Sequence, residues 1–144
     1  MALFSDEEQQ RIRIAIENAE SLTSGQIRVC IEKTCKDRVL DRAVKYFKRL
    51  DMHKTKLRNG VLIYVATVDR KFAIIGDAGI NKAVPNDFWD STRNTMLEYF
   101  KYGNIIEGII SGIEISGKHL NKFFPKNGDD TNELPDDIVF MDGK

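Results

Sequence analysis

Residues 59–89, NGVLIYVATVDRKFAIIGDAGINKAVPNDFW, decide how the rest of the chain must be arranged. Val61 to Thr67 is almost wholly apolar and rich in β-branched side chains, the pattern of a strand buried on both faces and therefore central in its sheet. Val68-Asp69-Arg70-Lys71 is a short polar turn, and Phe72 to Ile75 is a second apolar run, so the two segments form a β-hairpin. The return strand leads into Gly76-Asp77-Ala78-Gly79, a glycine-rich acidic loop, with further acids at Asp87 and Asp90 around a proline and the only tryptophan.

Upstream of this hairpin the pattern is α then β then α. Ser5-Asp6-Glu7-Glu8 fits a capping box and starts a helix whose core stripe is Ile12, Ala15, Ile16, Ala19 and Leu22. Gln26 to Thr34 sets Ile27, Val29 and Ile31 against Arg28, Cys30 and Glu32, a period of two that reads as a strand half exposed or near an edge. Asp37 is placed to cap the next helix, with Leu40, Ala43, Val44, Phe47 and Leu50 as its stripe. This strand, helix and the Val61 strand make a βαβ unit, in which the strands run parallel.

Downstream, Asp87 to Lys101 reads as a helix with Phe88, Trp89, Thr92, Met96, Tyr99 and Phe100 mostly on one face. Ile105 to Phe123 is the last helix, with Ile105, Ile109, Ile113 and Leu120 inward. Gly108, Gly112 and Gly117 lie along it at a helix cost of up to about 1 kcal/mol each, which close packing would offset. After Phe124-Pro125 the chain is polar and acidic, with six acids against one lysine from Gly128 onward. Residues 1–125 therefore read as one α/β domain, and 126–144 as a tail that is disordered or loosely laid on the surface, with Leu134 and Ile138 to Phe140 able to dock.

The 144 residues suit one domain, and 42% hydrophobic with 31% charged residues is an ordinary globular balance. Twenty-two basic residues against 22 acidic ones leave no basic face of the kind nucleic acid requires. Cys30 and Cys35 match neither a zinc pair nor a C-x-x-C redox site and read as reduced structural thiols. No stretch has the length of a membrane span, and the acidic start lacks a signal peptide's regions, so the expectation is a monomeric cytoplasmic domain without membrane insertion. No G-x-S-x-G, P-loop, G-x-G-x-x-G or H-E-x-x-H pattern is present.

Topology nominates a site. A third strand antiparallel to the first two brings its following loop to the rim where those two begin. Thr23-Ser24-Gly25, Arg58-Asn59-Gly60 and Gly76 to Asn81 then meet, with Asp87 and Asp90 close behind. Carboxylates, amide oxygens and backbone carbonyls suit a hard divalent cation, and glycine lets a carbonyl approach it. The candidate ligands are Asp77, Asp87 and Asp90, with main-chain oxygens around Gly79 and a side chain from Ser24, Asn59 or Asn81. The same residues also allow a plainer reading, with Asp77 in a turn, Asn86 or Asp87 as a helix cap, and Asp90 answering the helix dipole.

The order helix, SGQIRV strand, helix, NGVLIYVA strand, FAIIGDAGI, DFW helix and FKYGNIIEGIISGI helix resembles the TPM domain family across roughly Phe4 to Pro125. The resemblance implies a three-layer α/β/α sandwich with a central mixed sheet. It also implies divalent-cation binding, calcium or magnesium, in the cleft at one sheet edge, which carries over onto Asp77, Asp87 and Asp90. The function expected is that of a cation-binding accessory or interaction module with a protein partner. The alternative is a metal-dependent acid phosphatase using the same aspartates.

Overall fold

A computed structural model describes residues 4–126 and 132–142. The elements run α1 (Asp6–Glu20), β1 (Gln26–Glu32), α2 (Val39–Arg49), a 3-10 turn (Met52–Lys54), β2 (Gly60–Ala66), β3 (Lys71–Gly76), α3 (Ala78–Ala83), α4 (Asp90–Lys101), α5 (Ile105–Asn121) and β4 (Val139–Phe140). The strands form one mixed sheet in the order β3-β2-β1-β4. β1 runs parallel to β2 from Gln26 opposite Gly60 to Glu32 opposite Ala66, and β3 runs antiparallel to β2. As its composition demands, β2 is buried along its whole length.

Helices cover both faces, giving the expected sandwich. On one face α1, α4 and α5 close a core in which Ile27, Val29 and Ile31 of β1 and Val61, Ile63 and Val65 of β2 meet Ile12, Ile16, Met96, Ile109 and Ile113. On the other face α2 packs Ala43, Tyr46 and Phe47 over Cys30, Leu62, Tyr64 and Ala73. The α5 glycines are accounted for by space: a β-carbon at Gly117 would lie 2.8 Å from that of Ala19, and Gly108 and Gly112 back directly onto Phe100 and Met96. Close helix approach is what the missing side chains make possible.

The Ser5 capping box forms in both directions, Glu8 donating its amide to the Ser5 hydroxyl and Ser5 its amide to the Glu8 carboxylate. Other local expectations give way to packing. Leu22 lies beyond the end of α1 and is exposed. Arg38, not Asp37, precedes α2, and no side chain caps that helix; Asp37 pairs with Arg42 instead. Leu40 and Val44 face outward, because α2 turns Tyr46 inward to reach Glu32. The loop expected at Gly76 to Asn81 winds into α3, and α4 starts at Asp90 after a turn over Pro85–Trp89 rather than at Asp87.

β1 also departs from expectation, being fully buried and flanked on both sides. Its polar row is taken up internally: Glu32 accepts hydrogen bonds from the hydroxyls of Tyr46 at 2.6 Å and Tyr64 at 2.5 Å, and Arg28 reaches the Asp137 carbonyl. The outer edge of β1 is covered by the chain's last part. Residues 132–142 lie along it, β4 pairing in parallel with Cys30 and Ile31, while Leu134 and Ile138 are buried. Gln26 holds the start of this segment by accepting from the Glu133 and Leu134 amides, and Asp142 holds its end by accepting from the Lys33 amide. The docking that Leu134 and Ile138 to Phe140 allow is thus realised; residues 127–131 lie outside the described part.

Candidate functional site

The three loops meet at one rim. The Gln26 amide donates to the Asn59 carbonyl at 3.2 Å, Asp77 donates to the Gly60 carbonyl at 2.9 Å, and Gly79 donates to the Arg58 carbonyl at 2.8 Å. The Asn59 side-chain amide donates to the Ser24 hydroxyl at 3.3 Å, joining the first two loops through side chains. Gly79 is required here because a β-carbon would collide with the carbonyls of Leu57 and Arg58. Its role is therefore to admit the 57–58 backbone against α3, and it sits within that helix.

Asp77 is the N-cap of α3, its Oδ1 accepting from the Ala78 amide at 2.8 Å. Although only 6% exposed, it has a charged partner: Arg58 Nε lies 2.7 Å from Oδ2 and its terminal nitrogen 2.8 Å from Oδ1. This paired fork is the strong form of a carboxylate–guanidinium contact. Hydrogen bonding to Asp77, and then its charge, raise the Arg58 pKa above its ordinary value. Arg58 holds this position with its backbone in the left-handed region at φ 53°, and its side chain is 49% exposed.

The other sequence candidates do not join Asp77. Asp87 is exposed, and Asp90 is exposed and paired with Arg93 at 2.6 Å. Asn81 is exposed and donates to the Gly76 carbonyl. Among the described residues no three Asp, Glu, His or Cys side chains gather closely enough to hold a metal ion. Asn59 is 1% exposed, and its Oδ1 is buried with no hydrogen-bond donor among the described residues. That orphaned oxygen is the kind of group a buried ligand satisfies.

The rim's donor types thus fit a hard cation in part: a buried carboxylate, an amide oxygen without a donor, and a hydroxyl. Its charge fits only if Arg58 withdraws, since the guanidinium neutralises Asp77. A cleft of about 420 Å³ opens beside Asp77 and is lined also by Lys48, His53, Arg58 and Asn81. His53 Nδ1 is buried without a partner among the described residues. Neither Arg58 nor His53 was singled out by residue pattern; the signal for Arg58 lay in the topology, which sets the 58–60 loop against Asp77.

Two further buried groups stand apart from the rim. Burial first, and hydrogen bonding to Asp136 second, push the Glu20 carboxyl up to about 9, against the pull of the Ile27 amide. Burial pushes the Cys30 thiol up to about 12, and both cysteines are free and buried, as structural thiols are. No described helix is long and apolar enough to cross a membrane.

The TPM domain family's profile matches residues 1–118. Among solved structures, the chain is similar to the BA42 protein of the psychrophilic bacterium Bizionia argentinensis, with 50% identity, 96% of each chain covered and a TM-score of 0.92. It is similar in fold to the N-terminal domain of a protein from P. gingivalis, at 17% identity, covering 84% of this chain and 78% of that one, with a TM-score of 0.70. The N-terminal domain of a protein from Corynebacterium glutamicum is likewise similar in fold, at 13% identity, 88% and 78% coverage and a TM-score of 0.66. No curated protein matches the chain.

Proposed function

This chain belongs to the TPM domain family, and from that premise we propose that it is a divalent-cation-binding domain taking calcium or magnesium at the rim around Asp77. The observation that carries the reading is the Asn59 amide oxygen, buried without a donor beside Ser24 on the rim where Asp77 presents a buried carboxylate. Asp77 would hold the ion, with Asn59 Oδ1 and the Ser24 hydroxyl as neutral oxygen ligands. Asp87 and Asp90, exposed just before and at the start of α4, stay apart from Asp77 and are not assigned to the ion. Gly79 serves by letting the 57–58 backbone close on α3.

The ion would supply a local positive charge that draws these loops together. Phosphate-ester hydrolysis at the same place would also need a base besides Asp77, and no cluster of acids gathers there among the described residues. Binding, not hydrolysis, is therefore the function we assign, with an accessory or interaction role in the cytoplasm as a monomer.

Calorimetric titration with calcium chloride and magnesium chloride tests this. The native protein is expected to give saturable heat and Asp77→Asn none. Because an ion that prefers the folded state stabilises it by mass action, the melting temperature should climb with free calcium. Equal titration curves for the native protein and Asp77→Asn would overturn the assignment.

A further inference from the structure

We infer that a hollow at the closed end of the β2–β3 hairpin, the opposite end of the sheet from Asp77, is a second binding site, taking a small organic anion with a flat apolar body. It is independent of the cation reading. The hollow has a volume of about 430 Å³, within the span of roughly 300–1,000 Å³ usual for small-ligand sites. It lies between the end of the hairpin and the junction of α4 with α5, so parts of the chain distant in sequence build it together.

Its apolar wall follows from the sheet register. Val65 pairs with Phe72 across the hairpin, and Phe72 meets Phe100 of α4 edge to face, with ring centres 5.0 Å apart. Leu97 and Tyr102, 55% and 70% exposed, extend that surface outward. Its charge is of one sign: Arg70, Lys71 and Lys101 line the hollow, and among the described residues no acid does. Asp69, next to Arg70 in sequence, is taken up by the Cys35 amide at 2.7 Å. Lys71 donates to the Cys35 carbonyl at 3.0 Å, whereas neither Arg70 nor Lys101 joins an ion pair among the described residues.

Exposed cations by themselves describe any protein surface. Here they converge on aromatic rings, and that pairing is complementary to an aryl carboxylate or aryl phosphate: a guanidinium fork for the oxygens, ring faces and edges for the body. Two details support it. Thr67 Oγ1, also in the lining, is buried without a partner among the described residues, a neutral group that a ligand would satisfy. Arg70 has φ 56°, in the left-handed region where glycine is at ease and a side chain is strained. The turn gains nothing from a side chain there, and strain of this kind collects at functional positions.

Phenyl phosphate and phenylacetate, titrated into the protein while its amide resonances are followed by NMR, test the site. Inorganic phosphate and phenylacetamide serve as controls that lack the body or the charge. At least one aryl anion is expected to bind saturably and to shift residues 65–72 and 97–105, the tighter of the two identifying the anionic group preferred. Arg70→Gly and Lys101→Gln should each weaken it about tenfold, the size of one hydrogen bond to a charged group, and added sodium chloride should weaken it further. Arg70→Gly also relieves the left-handed residue, so it should melt no lower than the native protein; an arginine serving only the fold would lower the melting temperature and leave binding unchanged. The site is overturned if neither aryl anion binds saturably, if a control binds as tightly as its aryl anion, if both variants bind like the native protein, or if the shifts fall outside the two segments. The calcium titration of Asp77→Asn is untouched by any of these results, so the two sites stand or fall separately.

Discussion

Two buried carboxylates, Glu32 in the α2-side core and Asp77 on the rim, are almost equally hidden, at 8% and 6% exposure. Their surroundings differ. Glu32 takes two tyrosine hydroxyls that are themselves buried, and Arg42, 3.4 Å away, has a side chain only 19% exposed. Asp77 has one side-chain partner among the described residues, and half of that partner is in water. Burial of the acid alone does not say whether it is available to a ligand; the freedom of its partner does. Glu32 is locked into the structure that joins β1, β2 and α2, whereas Asp77 is closed by a guanidinium that itself lies half in solvent.

The sharpest way to break this contrast is Glu32→Ala, which leaves the Tyr46 and Tyr64 hydroxyls and Arg42 without their acceptor. Removing one partner of a buried charge network costs roughly 3–5 kcal/mol, and urea denaturation should register a loss of that order. Raised tyrosine pKa values belong to the same contrast: burial first and hydrogen bonding to Glu32 second push Tyr46 up to about 12. In Glu32→Ala the Tyr46 titration followed by absorbance should move back toward 10.

A third buried acid, Glu20, supplies a pH dependence of its own. Glu20 rises from 4.5 to about 9 on folding, so the folded state binds its proton more tightly than the unfolded chain does. Its contribution is whole below pH 4.5 and is lost as pH climbs towards 9. At about 1.4 kcal/mol per pKa unit, a decline of several kcal/mol across that interval is expected. Glu20→Gln, which keeps an acceptor for the Ile27 amide, should flatten the decline in melting temperature measured between pH 5 and 9.

On the rim, Gly79→Ala would drive a methyl group into the Leu57 and Arg58 carbonyls. Overpacking of this kind costs typically about 1–3 kcal/mol, and chemical denaturation should find a loss in that range. The smallest effect belongs to Asp77→Asn in the absence of divalent ions. Its partner is half exposed, so the change in melting temperature should be well below that of Glu32→Ala, as solvent screening of such pairs requires. A large loss from Asp77→Asn would erase the distinction between the two carboxylates.

How far the residues themselves foretold this arrangement depends on how local the cause was. The Ser5 capping box, the apolar run of β2 and the hairpin into β3 are determined within a few positions, and each is found as expected. The meeting of the 23–25, 58–60 and 76–81 loops followed from strand direction alone. Leu22, Leu40 and Val44 were misjudged because helical spacing marks a stripe without saying which neighbour will cover it. β1 reads as half exposed or near an edge because Arg28 and Glu32 alternate with its apolar residues. Nothing nearby in sequence shows that Tyr46, Tyr64 and the 132–142 segment will bury them.

By itself the amino-acid sequence determined the kind of fold, the central strand, the rim at which its loops converge and the acid at that rim. These depend on periodicity, capping and strand direction, which are properties of neighbouring residues. The tertiary structure alone decided that Arg58 closes on Asp77, that Asp87 and Asp90 stay in solvent, and that the last strand joins β1 across more than 100 intervening residues. Those outcomes turn on side chains distant in sequence being brought together in space, where charge, burial and available volume settle which of them pair.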